Sequence, residues 1–323
     1  MISGEGEYFD LIRFDGTEEE IHDSWLCLRR QGIGGSDVAA IMGLSPWSSP
    51  YRVWLDKTTG VSEDISGKSA VMWGNILEPV VGEHYKQNHP ERTIRRVNAI
   101  ARSIERPWAQ ASLDYEVKDP ELGWGVLEIK TAGLRSADKW ESGVPLFYQT
   151  QVAHYLSVTG RPFADVAVLI GGQDYREYRI MRDEEDIKAV NAAVDNFWNK
   201  AVKGGEEPDP AAVDNSYIIN AHPRATEDFL ELGQTPDVLA EYLAACDACK
   251  VADENKKRLS SELKLKMGDH RGIVSPAGKI AWIRTSSTRF DSKRFDADHP
   301  GLRAMYSTEY MRDGGLRFSP AKN

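Results

Sequence analysis

Between residues 93 and 180 the hydrophobic period runs strand-like, then helix-like, then strand-like again, and that order leaves few architectures open. "TIRRVNAIARS", "WAQASLDYEVK" and "GWGVLEIKT" read as three successive strands. "PLFYQTQVAHYLSVTG" reads as a helix, with proline near its start and glycine at its end. "ADVAVLIGGQDYREYRI" reads as two strands joined at Gly171–Gly172. Strands interrupted by one helix predict an α/β fold, a mixed central sheet flanked by helices. Further helices are expected over 22–31, after the "GIGGSD" turn with Ser36 or Asp37 as N-cap, and in "SPWSSPYRVWLDKTTG" up to Gly60. Another is expected over 69–88, kinked or interrupted at Pro79, and an amphipathic one over 183–203.

"KGGEEPDPAAVDN" combines glycines, prolines and acids with little to bury, so residues 204–216 read as a linker. It separates a domain over 1–204 from an accessory α+β region over 205–323. That region holds a long charged helix at roughly 236–267, a strand pair around Gly278 and a C-terminal stretch rich in arginine and aromatics. No apolar run approaches the roughly 20 residues of a membrane span. The N-terminus is acidic and lacks the apolar core of a signal peptide. Cys27, Cys246 and Cys249 cannot build a disulfide framework, which points to a reducing cytoplasm. The net charge of −10 argues against a uniformly basic surface. It is unevenly spread: residues 1–24 carry −7, residues 205–245 carry −8, and the rest carries +5. A basic cleft within an acidic whole is compatible with these totals, and a charged ligand responds to the local field.

"GVLEIKTAG", Gly125 to Gly133, places two charges in an otherwise apolar strand. Residues i and i+2 of a strand share a face, so Glu128 and Lys130 point one way while Leu127 and Ile129 pack the other. Asp114 is the acid of "ASLDYEV" in the preceding strand. If the two strands are neighbours, Asp114, Glu128 and Lys130 converge. Two carboxylates beside a lysine suit a hard divalent cation such as Mg²⁺, which takes one or two carboxylates plus water and substrate phosphate. The lysine then orients or helps deprotonate an attacking water while the metal stabilises charge. By itself an E-x-K tripeptide is more often the solvent face of an edge strand or a surface ion pair.

Asp114 followed by Glu128-Ile129-Lys130 resembles the core of PD-(D/E)XK nucleases. "RRQGIGGSDVAAIMGLSPW", "MWGNILEPVV", "ASLDYEV", "GVLEIKTAG" and "YQTQVAHYLSVTG", in that order over roughly residues 25–175, resemble the phage lambda-type exonucleases, or YqaJ-like viral recombinases. The resemblance implies a restriction-endonuclease-like form of the α/β fold. It implies Asp114, Glu128 and the Ile129 carbonyl as metal ligands, with Glu78 of "GNILEP" near a second metal. Two Mg²⁺ ions per site are implied, with Mn²⁺ as a substitute. Lys130 becomes the catalytic lysine, and Gln151 the glutamine that positions the nucleophilic water. Gln149, two residues earlier on the same helix, cannot face the same way. Arg30 and Ser36 match residues near the 5′-phosphate of a DNA end, with Ser112 and Arg135 as further members of that pocket. A guanidinium fork and a hydroxyl are suitable donors for a terminal phosphate. The motif's P-D-G is here Leu113-Asp114-Tyr115, so Tyr115 is expected to enter or shade the site.

The activity implied is metal-dependent 5′→3′ degradation of one strand of linear double-stranded DNA, leaving 3′ overhangs for phage-type recombination by strand annealing. The implied partners are duplex DNA ends, copies of the same chain in a ring-shaped homotrimer, and a single-strand annealing protein. The implied setting is the cytoplasm of a bacterial host, with the gene carried by a phage or prophage and no membrane involved. Two other readings stay open: an endonuclease or single-strand nuclease of the same superfamily, and a non-catalytic DNA-binding assembly protein.

Other features carry less. Cys246 and Cys249 have metal-like spacing without a second pair, and three cysteines exclude a four-cysteine iron–sulfur cluster. "GIGGSD" does not follow a strand and lacks the Lys-Ser/Thr ending of a nucleotide loop. Ser36 lies outside any G-x-S-x-G elbow. His154 is expected to pack or hydrogen-bond on its helix, and "RRVNAIAR" to form a solvated edge strand. Trp47, Trp54, Trp73, Trp124 and Trp140 read mainly as core. Tyr306, Tyr310, Arg312, Arg317 and Phe318 are candidates for contact with DNA or a subunit neighbour.

Overall fold

Thr17 and Glu20 start the first helix. In the computed structural model, which describes residues 5–61, 67–221, 229–283 and 285–308, strand β1 (Phe9–Arg13) leads into helix α1 (Glu18–Arg30). The Thr17 side chain accepts from the Glu20 N–H while the Glu20 carboxylate accepts from the Thr17 N–H. This reciprocal cap begins the helix before the expected residue 22. Helix α2 (Gly35–Ile41) is capped at Gly34, not at Ser36 or Asp37; the Asp37 carboxylate reaches back to the Gly34 N–H at 3.0 Å. Helix α3 (Pro50–Thr59) has Ser49 as cap and proline at its first position, and ends on Gly60 with φ 72°. Helix α4 (Ser69–Asn88) continues through Pro79 and is not divided there.

Two of the expected strands each split in two. "TIRRVNAIARS" yields β2 (Thr93–Arg96) and β3 (Ala99–Ser103), and "WAQASLDYEVK" yields β4 (Gln110–Ser112) and β5 (Tyr115–Asp119). Each segment passes from one sheet to another, so no single ladder holds it. Strands β1, β3 and β4 form a three-stranded antiparallel sheet in the order β1-β3-β4. With β6 (Gly123–Ala132), β7 (Phe163–Ile170) and β8 (Asp174–Met181), strands β2 and β5 build a five-stranded sheet in the order β2-β5-β6-β7-β8. Strand β2 is a solvated edge, as expected for the first half of "RRVNAIAR", but β3 is largely buried.

The large sheet is mixed. Strands β5 and β6 are antiparallel with Tyr115 opposite Leu127, and β6 and β7 are parallel with Glu128 opposite Val166. A parallel pair needs a crossover. Here it is a 3-10 helix, Leu134–Trp140, followed by helix α5 (Leu146–Thr159). Helix α6 (Glu184–Phe197) passes into a π-helical turn, Trp198–Lys203, where one continuous helix was expected.

Both faces of β6 are covered. Leu127 and Ile129 pack with Val117, Phe163 and Ala167 against Val81 and Tyr85 of α4. Val126 packs with Ala164, Val166 and Val168 against Val152, Tyr155 and Leu156 of α5. Adjacent residues Val166 and Ala167 therefore serve opposite faces, as the strand period requires. Beyond α5, Ile33, Val38, Val53, Val190, Val194 and Phe197 join the first helices to α6.

The chain divides into two compact units, Met1–Pro223 and Arg224–Asn323. The first takes in the stretch read as a linker, through a 3-10 turn (Ala212–Asp214) and helix α7 (Asn215–Ala221). Ser49, the cap of α3, donates to Asp214 at 2.6 Å, and both are buried. The second unit holds the long helix α8 (Asp237–Met267) and the antiparallel hairpin of β9 (Gly272–Ser275) and β10 (Gly278–Ala281). Short helices α9 (Ser292–Asp298) and α10 (Leu302–Met305) follow. Among the described residues no helix is long and apolar enough to cross a membrane.

Candidate active site

Glu128 is 2% exposed, in the middle of the sheet and covered by α5. Its Oε1 accepts from Lys130 Nζ at 2.5 Å and from Gln151 Nε2 at 2.7 Å, while its Oε2 has no protein partner. Helix α5 aligns Tyr148, Gln151 and Tyr155 on one stripe, three and then four residues apart. The Lys130 ammonium lies 4.8 Å from the centre of the Tyr148 ring. Gln151 donates a second hydrogen bond, at 2.8 Å, to the Tyr155 hydroxyl. Gln149 faces elsewhere and donates to the Val144 carbonyl.

Asp114 sits where the β5–β6 ladder ends. The last antiparallel pair is Tyr115 with Leu127, and the Ile129 N–H is taken instead by the Asp114 carboxylate at 2.8 Å. The carboxyl of Asp114 lies close enough to Glu128 for its charge to act on it. Burial, followed by the Asp114 charge, pushes Glu128 up to about 8 against the opposing pull of Lys130. Burial likewise raises Asp114, despite Lys130 and the Ile129 N–H. For Lys130, burial lowers the ammonium pKa, but Glu128 and Asp114 outweigh it and the net shift is upward. One ammonium thus faces the buried carboxyl of Glu128 and the half-buried carboxyl of Asp114, and one oxygen of Glu128 is unpartnered. A divalent cation fits such a donor set.

Glu78 is hydrogen-bonded to Arg96 and not to Asp114, Glu128 or Lys130, though it lies in the field of Asp114 and Lys130. It accepts from Arg96 at 2.9 Å, and burial followed by the charge of Asp114 raises its pKa. Among the described residues no three His, Cys, Asp or Glu side chains are grouped closely enough to hold a metal by themselves. Tyr115 packs on α4 at Gly82, where a Cβ would lie 2.8 Å from its ring. Its hydroxyl feels the charge of Glu78 and, less strongly, that of Asp114.

Arg30 and Ser36 do not meet. The Ser36 hydroxyl accepts from Arg29 at 2.7 Å, whereas Arg30 lies 3.6 Å from Asp56. One residue along a helix is a rotation of about 100°, and it is Arg29 that faces α2. Ser112, at the end of β4, and Arg135, in the 3-10 helix after β6, are exposed, and among the described residues neither side chain makes a hydrogen bond. Helix α2 rests directly on α5: a Cβ at Gly35 would lie 2.4 Å from the Tyr155 ring and 3.0 Å from Gln151. The Arg29–Ser36 pair and the Glu128 group therefore adjoin. Fully buried His154 ties the same region together, with Nε2 3.2 Å from the Ile33 carbonyl and 3.0 Å from the Gln110 carbonyl. Burial lowers its pKa to about 4, so the imidazole is neutral. It bonds to neighbouring segments and not along its own helix.

Trp140 is core, but Trp47 and Trp73 are 58% and 54% exposed. Tyr306 is exposed, while Tyr310, Arg312, Arg317 and Phe318 lie outside the described residues. All three cysteines are free and exposed.

The chain is similar in sequence to known proteins. A family model described as the YqaJ-like viral recombinase domain matches residues 24–162. Protein YqaJ of Bacillus subtilis (strain 168), itself uncharacterized, is 30% identical over 310 residues, which cover 92% of this chain and 95% of that protein. The chain belongs to the YqaJ-like viral recombinase family. Over 67 residues the chain is also similar to protein D345L of African swine fever virus (strain Badajoz 1971 Vero-adapted), 31% identical, covering 21% of this chain and 19% of the viral protein. Among solved structures, the alkaline exonuclease LHK-Exo from Laribacter hongkongensis is 19% identical with a TM-score of 0.47, covering 62% of this family member and 100% of that chain. A phage related exonuclease from Haemophilus somnus 129PT is 14% identical with a TM-score of 0.39, covering 56% and 100%.

Proposed function

We propose that this chain is a metal-dependent nuclease that degrades one strand of linear double-stranded DNA from its 5′ end and leaves 3′ overhangs for recombination by annealing. The observation that carries the reading is the buried Glu128, with Lys130 and Gln151 on one oxygen, Asp114 beside it and the second oxygen open. Membership of a viral recombinase family supports the recombination setting. A ring of three copies around the duplex, with an annealing protein loading on the overhang, completes the proposal.

Asp114, Glu128 and the Ile129 carbonyl would hold the cation, Mg²⁺ or Mn²⁺, with Glu78 as the candidate for a second. Bound there, it would supply charge stabilisation for the displacement at phosphorus. The chain's own groups do the rest. Lys130, fixed between Glu128 and the Tyr148 ring, orients the attacking water and assists its deprotonation. Gln151 uses both amide hydrogens on Glu128 and Tyr155, which leaves its carbonyl oxygen to accept from that water. Arg29 and Ser36 offer a guanidinium and a hydroxyl to a terminal 5′-phosphate, a feature with no purpose in internal cutting.

The test uses linear duplex DNA with a 5′-phosphate at one end and a 5′-hydroxyl at the other, each strand separately labelled, with a closed circle as control. Mononucleotides released from the phosphorylated strand, with the circle intact, are expected. Lys130→Ala should lower turnover by about 10²–10⁴-fold with DNA affinity within about twofold of wild type. Cutting of the circle would replace this reading with an endonuclease, and inertness under both Mg²⁺ and Mn²⁺ would leave a binding protein.

A further inference from the structure

The Lys57 side chain, on α3, is fully buried. Its ammonium has three acceptors: Asp37 at 2.9 Å, the Arg29 carbonyl at 3.1 Å and Asp56 at 3.3 Å. A buried ammonium is costly unless it is paired, and here it donates to one carbonyl and is ion-paired to two carboxylates. Asp37 is shared. One of its oxygens takes Lys57 and the Gly34 N–H, and the other lies 3.4 Å from Arg29 Nη2. Burial alone would raise the Asp37 carboxyl, but Lys57 and then Arg29 outweigh it and hold it at about 2, so it stays ionised. The same Arg29 Nη2 donates to Ser36, and the guanidinium lies 5.2 Å from the Trp25 ring centre. One edge and one face of the guanidinium are therefore fixed. Its Nη1 and Nε make no hydrogen bond among the described residues, and the side chain is 35% exposed. Lys57 itself reaches neither solvent nor the Glu128 group.

We infer that Lys57 and Asp37 are positioning residues: the buried pair holds the Arg29 guanidinium and the Ser36 hydroxyl in the arrangement that receives a terminal 5′-phosphate, and so sets the preference for phosphorylated ends. The inference rests on the exonuclease reading above. A purely structural role would slow all substrates alike, whereas a positioning role changes the ratio between two substrates that differ only at the end.

The experiment measures initial rates of the full chain with Mg²⁺ on two linear duplexes, identical except for a 5′-phosphate or a 5′-hydroxyl on the degraded strand. Lys57→Met keeps the length of the side chain and removes its charge. In that variant the wild-type preference for phosphate should fall about tenfold, with the rate on 5′-hydroxyl ends within about twofold of wild type. Thermal unfolding checks that the variant is folded. If it is not, Asp37→Asn, which can still accept from the Gly34 N–H, should produce the same loss of preference. A wild type with no preference would overturn the end-phosphate pocket and this inference with it. A wild type that prefers phosphate, together with a folded variant that keeps the full ratio, would overturn this inference alone.

Discussion

Burial, followed by the neighbouring Asp114 charge, raises the Glu128 carboxyl from an ordinary 4.5 to about 8 in the folded chain. Between those values the folded form binds a proton that the unfolded form has released, so rising pH destabilises the metal-free protein across that window. A cation that takes the place of that proton gains from the same rise. Mg²⁺ or Mn²⁺ affinity, measured by calorimetry, should therefore increase through about pH 8 and level off only about a unit above it, and Glu128→Gln should reduce the slope to what the raised Asp114 carboxyl contributes. The sequence discloses this site well because a strand period of two places Glu128 and Lys130 together whatever surrounds them. It does not separate Arg29 from Arg30, because the facing of a helix end changes with each residue and nothing local marks where α1 meets α2. Nor does it mark Lys57, whose importance comes from burial against residues 20 and 28 positions earlier in the chain.

The crossover helix α5 brings the elements of the site together. It buries Glu128, supplies Gln151, and receives α2 on its outer side at Gly35. Gly35→Ala would drive a methyl group into the Tyr155 ring, so α2 should be pushed off α5 at a cost of about 1–3 kcal/mol. A lower thermal midpoint and reduced turnover are expected. Gly34→Ala, whose new Cβ would meet nothing closer than 3.7 Å, serves as the control. The glycine ends of α3 and α5 and the long apolar strands were readable at this scale, as was the turn at Gly171–Gly172. The sheet changes at Val97–Asn98 and Leu113–Asp114 were not. Neither corner contains glycine or proline, and through Leu113–Asp114 the alternation of side chains runs without a break.

At the scale of the whole molecule the main departure is the end of the first unit. The composition of "KGGEEPDPAAVDN" suggests nothing to bury, yet Asp214 is fully buried and bonded to the cap of α3. An acid reads as solvated in a sequence, so its partner Ser49, far away along the chain, is invisible there. A chain ending at residue 204 should therefore be less stable than one ending at residue 223, by about 1–3 kcal/mol for the lost buried bond. Equilibrium denaturation of the two chains would show it, and equal midpoints would count against any role for the segment in holding α3.

The parallel pairing of β6 with β7 also has a consequence in time. Strand β6 can exist as a hairpin with β5 as soon as both have been synthesised, but its other edge must wait for α5 and then for β7, which ends at Ile170. Until that crossover docks, Glu128 is a solvated carboxylate with no Gln151 beside it. A growing chain on the ribosome thus carries Asp114, Glu128 and Lys130 before it carries the arrangement that gathers them, which arrives with the closing of the sheet.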